Sequence, residues 1–111
     1  MDGANQMDDQ TSLPVFNDLV KRLHETLPDL KTEYRIRQLG VFGSYVRGEQ
    51  TAQSDLDVLV EFDPDYRLGL IGFCELENKL TDYLGVKVDL VMKTGLKPRI
   101  GERILAEVCY L

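Results

Sequence analysis

The sequence predicts a small α/β domain, a mixed β-sheet with helices packed on one face. Three observations carry that expectation. Apolar residues switch between helical and alternating spacing in the order helix, strand, strand, helix, strand, helix. The first two strands are separated by a short polar excursion that opens at Gly43-Ser44. Finally, 111 residues supply one hydrophobic core and are too few for two.

Composition narrows the class further. A hydrophobic content of 43% and a charged content of 29% describe an ordinary globular chain. No run approaches the roughly 20 apolar residues of a membrane span, and no basic, apolar leader opens the chain, so a cytoplasmic location is expected. Cys74 and Cys109 are far apart, and His24 is the single histidine, which argues against zinc and against a disulfide framework. The net charge of −6 disfavours a surface that tracks DNA or RNA, so no direct nucleic-acid partner is expected. It leaves room for a local site that handles nucleotide phosphates, provided a metal supplies the positive charge.

Each element follows from its residues. Residues 1–11 are polar and acidic without periodicity and are expected to form a flexible tail ahead of a domain over 12–111. A helix is expected from Ser12-Leu13-Pro14, with Phe16, Leu19, Val20, Leu23 and Leu27 on its buried face and its end at Pro28-Asp29. His24 beside that stripe reads as structural. Tyr34 to Phe42 reads as a strand through Ile36, Leu39, Val41 and Phe42, and Asp55 to Phe62 as a second. Asp63-Pro64-Asp65 is a turn. The next helix is expected over Leu68 to Leu84, burying Leu70, Phe73, Leu76, Leu80, Tyr83 and Leu84, with Gly85 as its C-cap. Val86 to Met92 alternates as a third strand. A last helix opens near Pro98, with Ile100, Ile104 and Val108 on one face and Arg99, Glu102 and Arg103 solvated.

The chemistry concentrates between Val41 and Phe62. Residues two apart in a strand share a face, so Asp55 and Asp57 project side by side while Leu56, Val58 and Val60 enter the core. Neighbouring carboxylates repel unless a proton or cation lies between them, and oxygen ligands of this kind suit Mg²⁺ together with substrate phosphates. The Gly43-Ser44 turn offers backbone N–H groups and a hydroxyl suited to phosphate. If the second and third strands pair with their apolar faces toward the helices, Asp89 joins Asp55 and Asp57 on one open face. Three such carboxylates suit a site for two metal ions. Taken singly, Gly43-Ser44 is a turn, and Asp55-Leu56-Asp57 or Asp89 is the solvent side of a strand. A DxD also serves metal binding in glycosyltransferases, for which this chain is small. Only the conjunction is specific.

Gly43-Ser44, ten intervening residues and Asp55-Leu56-Asp57 resemble the GSx₁₀DxD signature of the DNA polymerase β-like nucleotidyltransferase superfamily. Arg47-Gly48-Glu49, Ser54, Val88-Asp89-Leu90-Val91 and the stretch Leu96 to Leu105 are similar to its minimal nucleotidyltransferases, so the likeness runs from about Phe16 to Tyr110. Gly101 departs from it, where a longer polar side chain is expected.

That resemblance implies the superfamily's fold and a set of roles. Asp55 and Asp57 would ligate both of two Mg²⁺ ions. Asp89 would bind the catalytic one and help activate an acceptor hydroxyl. Gly43 and Ser44 would hold the β- and γ-phosphates of ATP. Arg47 has two readings of equal weight, a phosphate contact or an ion pair with Glu49. Minimal nucleotidyltransferases of this kind accompany a HEPN-domain ribonuclease toxin as its antitoxin and move AMP from ATP onto a toxin tyrosine. The resemblance therefore implies a HEPN toxin as partner, in a possible hetero-oligomer. An antitoxin that acts by occlusion and a nucleotidyltransferase for small molecules are the alternatives. Three aspartates on one face favour catalysis over occlusion, and the lack of an acceptor-binding domain disfavours a small acceptor.

Overall fold

A computed structural model describes residues 16–111. The expected tail over 1–11 and the helix start at Ser12 to Pro14 lie outside the described residues. The elements are α1 (Phe16–Tyr34), β1 (Ile36–Phe42), a single helical turn α2 (Ser44–Arg47), β2 (Leu56–Phe62), α3 (Gly69–Leu84), β3 (Val88–Met92), a 3₁₀ turn (Lys93–Gly95), α4 (Pro98–Glu107) and β4 (Cys109–Tyr110). The sheet is mixed, in the order β3-β2-β1-β4. The β1–β2 and β1–β4 pairs are antiparallel, and β2–β3 is parallel.

The core lies between one face of this sheet and the two long helices. Leu19, Leu23, Leu27 and Leu30 of α1 and Leu76, Leu80 and Leu84 of α3 meet Ile36, Leu39, Val41, Leu56, Val58, Val60, Val88 and Leu90. In β1 the pairing register shifts between Ile36 and Gln38. That extra residue lets Ile36, Leu39 and Val41 all turn inward despite their uneven spacing.

Two expectations, one for α1 and one for α3, are corrected. Helix α1 does not stop at Pro28 but continues to Tyr34 with Pro28 inside it. The proline removes the N–H that would bond the carbonyl of His24, on an exposed stretch where water can substitute. Continuing brings Leu30 to 1% exposure, and burying one leucine contributes about 1.5–3 kcal/mol, comparable to the cost of an internal proline. Helix α3 buries only the row Leu76, Leu80 and Leu84, with Phe73 half-buried, while Leu70 and Tyr83 are 77% and 42% exposed. At 3.6 residues per turn Leu70 stands roughly 80° round the helix from the middle of that row, on its flank.

Helix α4 is corrected as well. Ile104 and Val108 are half-buried, but Ile100 is 57% exposed. The buried residue of α4 is Gly101, and a Cβ there would stand 3.0 Å from Leu96 Cβ. The departure from a longer side chain is thus a packing requirement, with the backbone of α4 pressed onto Leu96. Edge strand β3 is held from its outer side by α3, through Val88 N–H to Thr81 Oγ1 at 3.0 Å and Leu90 N–H to Glu77 Oε2 at 2.9 Å. These bonds fix which way Asp89 faces and blunt an otherwise open edge.

Candidate active site

The site begins where β1 ends. Gly43 has φ 86° and ψ −155°, a backbone state that costs a side-chain-bearing residue energy. A Cβ at Gly43 would lie 1.9 Å from Asp57 Oδ2. Glycine is therefore needed twice, for the bend and for the approach to Asp57. The chain then turns once through α2, where Val46 and Arg47 both donate N–H groups to the Gly43 carbonyl, at 3.0 and 3.2 Å. The N–H groups of Ser44 and Tyr45 have no acceptor within so short a helix. Tyr45, at 2% exposure, anchors the turn in the core with its ring 6.3 Å from that of Phe16. Burial and the nearby charge of Asp55 both push its phenol up.

Strand β2 carries the acidic residues. It begins at Leu56, so Asp55 stands immediately before it. Asp57 pairs with Phe42 of β1 on one side and with Asp89 of β3 on the other. Directly opposed residues share a face, so Asp57 and Asp89 project together, away from the core that holds Leu56, Val58, Val88 and Leu90. Burial, then Asp89, then Asp55 push the Asp57 carboxyl from 3.8 up to about 6. A carboxyl so placed is poised to take up a cation. Among the described residues no three acidic, histidine or cysteine side chains already close around an ion. Mg²⁺ does not require such a cage, because it usually keeps water and substrate phosphates alongside one or two carboxylates. The donor set is all oxygen and fits that ion.

Two residues that sequence reasoning did not connect to the site come from α4. Glu107 accepts the Gly43 N–H at 2.6 Å through Oε2 and takes Arg47 Nη1 on both oxygens, at 3.0 and 3.1 Å. Arg47 Nε also donates to Glu49 at 2.9 Å. Of the two readings of Arg47, the ion pair is therefore present, with a second and more distant carboxylate added. Burial works against ionisation of Glu107, but the Gly43 N–H and Arg47 outweigh it and hold its carboxyl below the usual range. Arg103, expected to be merely solvated, lines with Ile100, Ile104 and Glu107 a hollow of about 220 Å³ that also contains Phe42, Gly43, Arg47 and Asp57. No signal in the sequence linked α4 to this turn, because the link depends on the pairing of β4 with β1.

The profile of the nucleotidyltransferase domain matches residues 23–111. The chain belongs to the nucleotidyltransferase family. It is 47% identical over 83 residues to the protein adenylyltransferase MntA of Thermococcus cleftensis, a match covering 75% of this chain and 82% of that one. In three dimensions it resembles a candidate minimal nucleotidyltransferase with a TM-score of 0.71 at 34% identity, over 91% of this chain and 99% of the other. It also resembles one chain of a toxin–antitoxin complex crystallised with AMP-PNP, with a TM-score of 0.62 at 26% identity, over 86% of this chain and 70% of that one. The expected fold and enzyme class both hold. In this nucleotidyltransferase the expected residues Gly43, Asp55, Asp57 and Asp89 gather at one end of the β2–β3 pair, with Ser44 opening the adjacent turn.

Proposed function

We propose that this nucleotidyltransferase moves AMP from ATP to a hydroxyl of a partner protein in the cytoplasm, and that it acts as the antitoxin of a HEPN-type toxin whose tyrosine is the acceptor. The domain responsible spans 12–111. The observation that carries the proposal is Asp57: half-buried, backed by Gly43, in register with Asp89, and short of positive charge. The adenylyltransferase relative and the toxin–antitoxin likeness support protein as the acceptor and ATP as the donor. No helix among the described residues is long and apolar enough to cross a membrane.

Asp55 and Asp57 would hold two Mg²⁺ ions, with Asp89 on the catalytic one. Bound there, Mg²⁺ would neutralise the triphosphate and lower the proton affinity of the attacking hydroxyl. Ser44 would receive the β- and γ-phosphates through its N–H and hydroxyl, and Gly43 would let them approach the backbone closely. That grip leaves the α-phosphorus over the carboxylates. Attack by the acceptor oxygen would form a P–O bond there as the bond to pyrophosphate breaks, with the hydroxyl proton passing to a nearby base, a step Asp89 would assist.

The test uses the co-encoded partner, Mg²⁺ and ATP labelled at either the α- or the γ-phosphorus. Label from the α-position is expected on the partner, and label from the γ-position is not. Inhibition of the partner that persists without an adduct, and survives Asp55→Asn with Asp57→Asn, would leave occlusion as the mechanism. Labelling of a small molecule in place of the partner would assign a different acceptor.

A further inference from the structure

We propose that Glu107 is a positioning residue for the nucleotide-gripping turn, and that Arg47 serves this clamp and not the phosphates. The inference rests on the nucleotidyl-transfer reading of the site.

The route from sequence to clamp runs through β4. Strand β4 follows α4 after a single residue and pairs with β1 at Gly40↔Tyr110 and Val41↔Cys109. That pairing is possible because Gly40 has no side chain; a Cβ there would meet Val108 Cγ2 at 2.7 Å. Leu111 N–H adds a bond to the Leu39 carbonyl at 2.9 Å. Docking β4 in this register carries Glu107 to Gly43, two residues beyond Val41.

Once there, Glu107 spends both carboxylate oxygens on the turn, one on Gly43 N–H and both on Arg47. The Gly43 bond holds the residue whose Cα carries the chain past Asp57. The Arg47 bonds hold the other end of the same helical turn. Glu107 thereby ties both ends of α2 to α4, leaving Ser44 and Tyr45 N–H groups directed from a fixed frame. Arg47 meanwhile faces two carboxylates, Glu107 and Glu49. A guanidinium so surrounded adds no net positive charge with which to draw a triphosphate. Preorganising a binding loop improves affinity by removing the ordering cost from the binding step.

The test compares the full chain with Glu107→Ala, Glu107→Gln, Arg47→Ala and the double variant Arg47→Ala/Glu107→Ala. The first readout is calorimetric binding of α,β-methylene-ATP with excess Mg²⁺. Glu107→Ala and Arg47→Ala should each weaken binding about 10-fold, and the double variant by no more than about 20-fold, because one clamp is lost only once. Glu107→Gln keeps an acceptor for Gly43 N–H and should recover most of the affinity. The second readout needs no nucleotide: amide hydrogen exchange at Gly43, and at Val46 and Arg47, whose N–H groups bond the Gly43 carbonyl, should quicken about 10-fold in Glu107→Ala while Val58 and Val60 keep their protection. Unchanged exchange at Val46 and Arg47 overturns the proposal whether or not the nucleotide reading holds. Unchanged or tighter analogue binding in Glu107→Ala, or single effects that multiply in the double variant, also overturns it. A wild-type chain that ignores the analogue while exchange responds as expected would sink the nucleotide reading and leave the clamp in place.

Discussion

The two ends of β2 carry similar carboxylates in opposite circumstances. Just past its C-terminal end, Asp63 accepts the Asp65 N–H at 3.1 Å and pairs with Arg35 at 3.4 Å. The Asp65 N–H in the first place, with Arg35 added, holds its carboxyl below the usual range. At the N-terminal end, Asp57 is half-buried, faces Asp89 and Asp55, and is pushed up to about 6. The hollows at the two ends invert the expectation from size. The larger one, about 710 Å³ and lined by Phe62, Tyr66, Leu68, Phe73 and Met92, belongs to the end where the carboxylate is satisfied. The smaller one, about 220 Å³, holds Asp57. Pocket volume alone would select the opposite end from the one proposed for phosphate chemistry. Unmet charge selects the other, because folding neutralises a carboxylate wherever it can, and one left wanting marks a place for a ligand.

Exchanging the two carboxylates for amides should give the widest contrast. Asp57→Asn should reduce transfer at least about 10³-fold, since the amide keeps the shape and loses the charge that a divalent ion requires. Asp63→Asn should leave transfer within about twofold, because only a surface pair is lost. Labelled-ATP transfer assays on both variants check this, and equal losses would erase the distinction between the ends.

A similar contrast separates two glycines that flank α2. Both have positive φ, 86° at Gly43 and 73° at Gly48. A Cβ at Gly48 would meet nothing within 4 Å, whereas one at Gly43 would fall on Asp57. Gly48→Ala should cost about 1 kcal/mol of stability from strain alone, read by thermal unfolding, with transfer little changed. Gly43→Ala should cost more stability, about 2–3 kcal/mol, and cut transfer roughly 100-fold by displacing Asp57.

Most of this was legible in the sequence, for reasons that particular residues make plain. The alternation through Leu56, Val58 and Val60 set the side on which Asp57 lies, and the same alternation in Val88 and Leu90 set Asp89. Period-two spacing is local, so it survives without knowledge of the neighbours. Pro28 misled because its local cost was offset by a distant partner surface for Leu30. Leu70 and Ile100 misled because apolar identity does not say whether a neighbour covers the residue. Glu107 could not be read at all. Its role depends on β4 pairing with β1, which brings it to Gly43 across 64 residues of sequence separation, and no local pattern reports such a contact.

A modest expected effect is the sharpest test of the unmet charge at Asp57, because it concerns the apo protein. Its carboxyl titrates at about 6 when folded against an ordinary 3.8. Below the ordinary value it is protonated in both states and affects stability in neither. As pH rises from about 4 to 6 the unfolded chain ionises first, so folding is increasingly penalised, and above about 6 the penalty is complete. The ceiling is roughly 3 kcal/mol, and partial solvation should reduce the observed figure to about 1–2 kcal/mol. Asp57→Asn should therefore be more stable than wild type at pH 7.5 by that amount and no more stable at pH 4. Asp63 and Glu107, whose carboxyls are held low, contribute in the opposite sense, but they are common to both proteins and cancel in the difference. Mg²⁺ should stabilise wild type at pH 7.5, where it replaces the repulsion with attraction. It should do so much less at pH 5, where a proton already occupies the site, and hardly at all in Asp57→Asn. Melting curves at the three pH values, with Mg²⁺ and with EDTA, decide the matter. A variant less stable than wild type at pH 7.5 would make Asp57 a structural residue and put the two ends of β2 on the same footing.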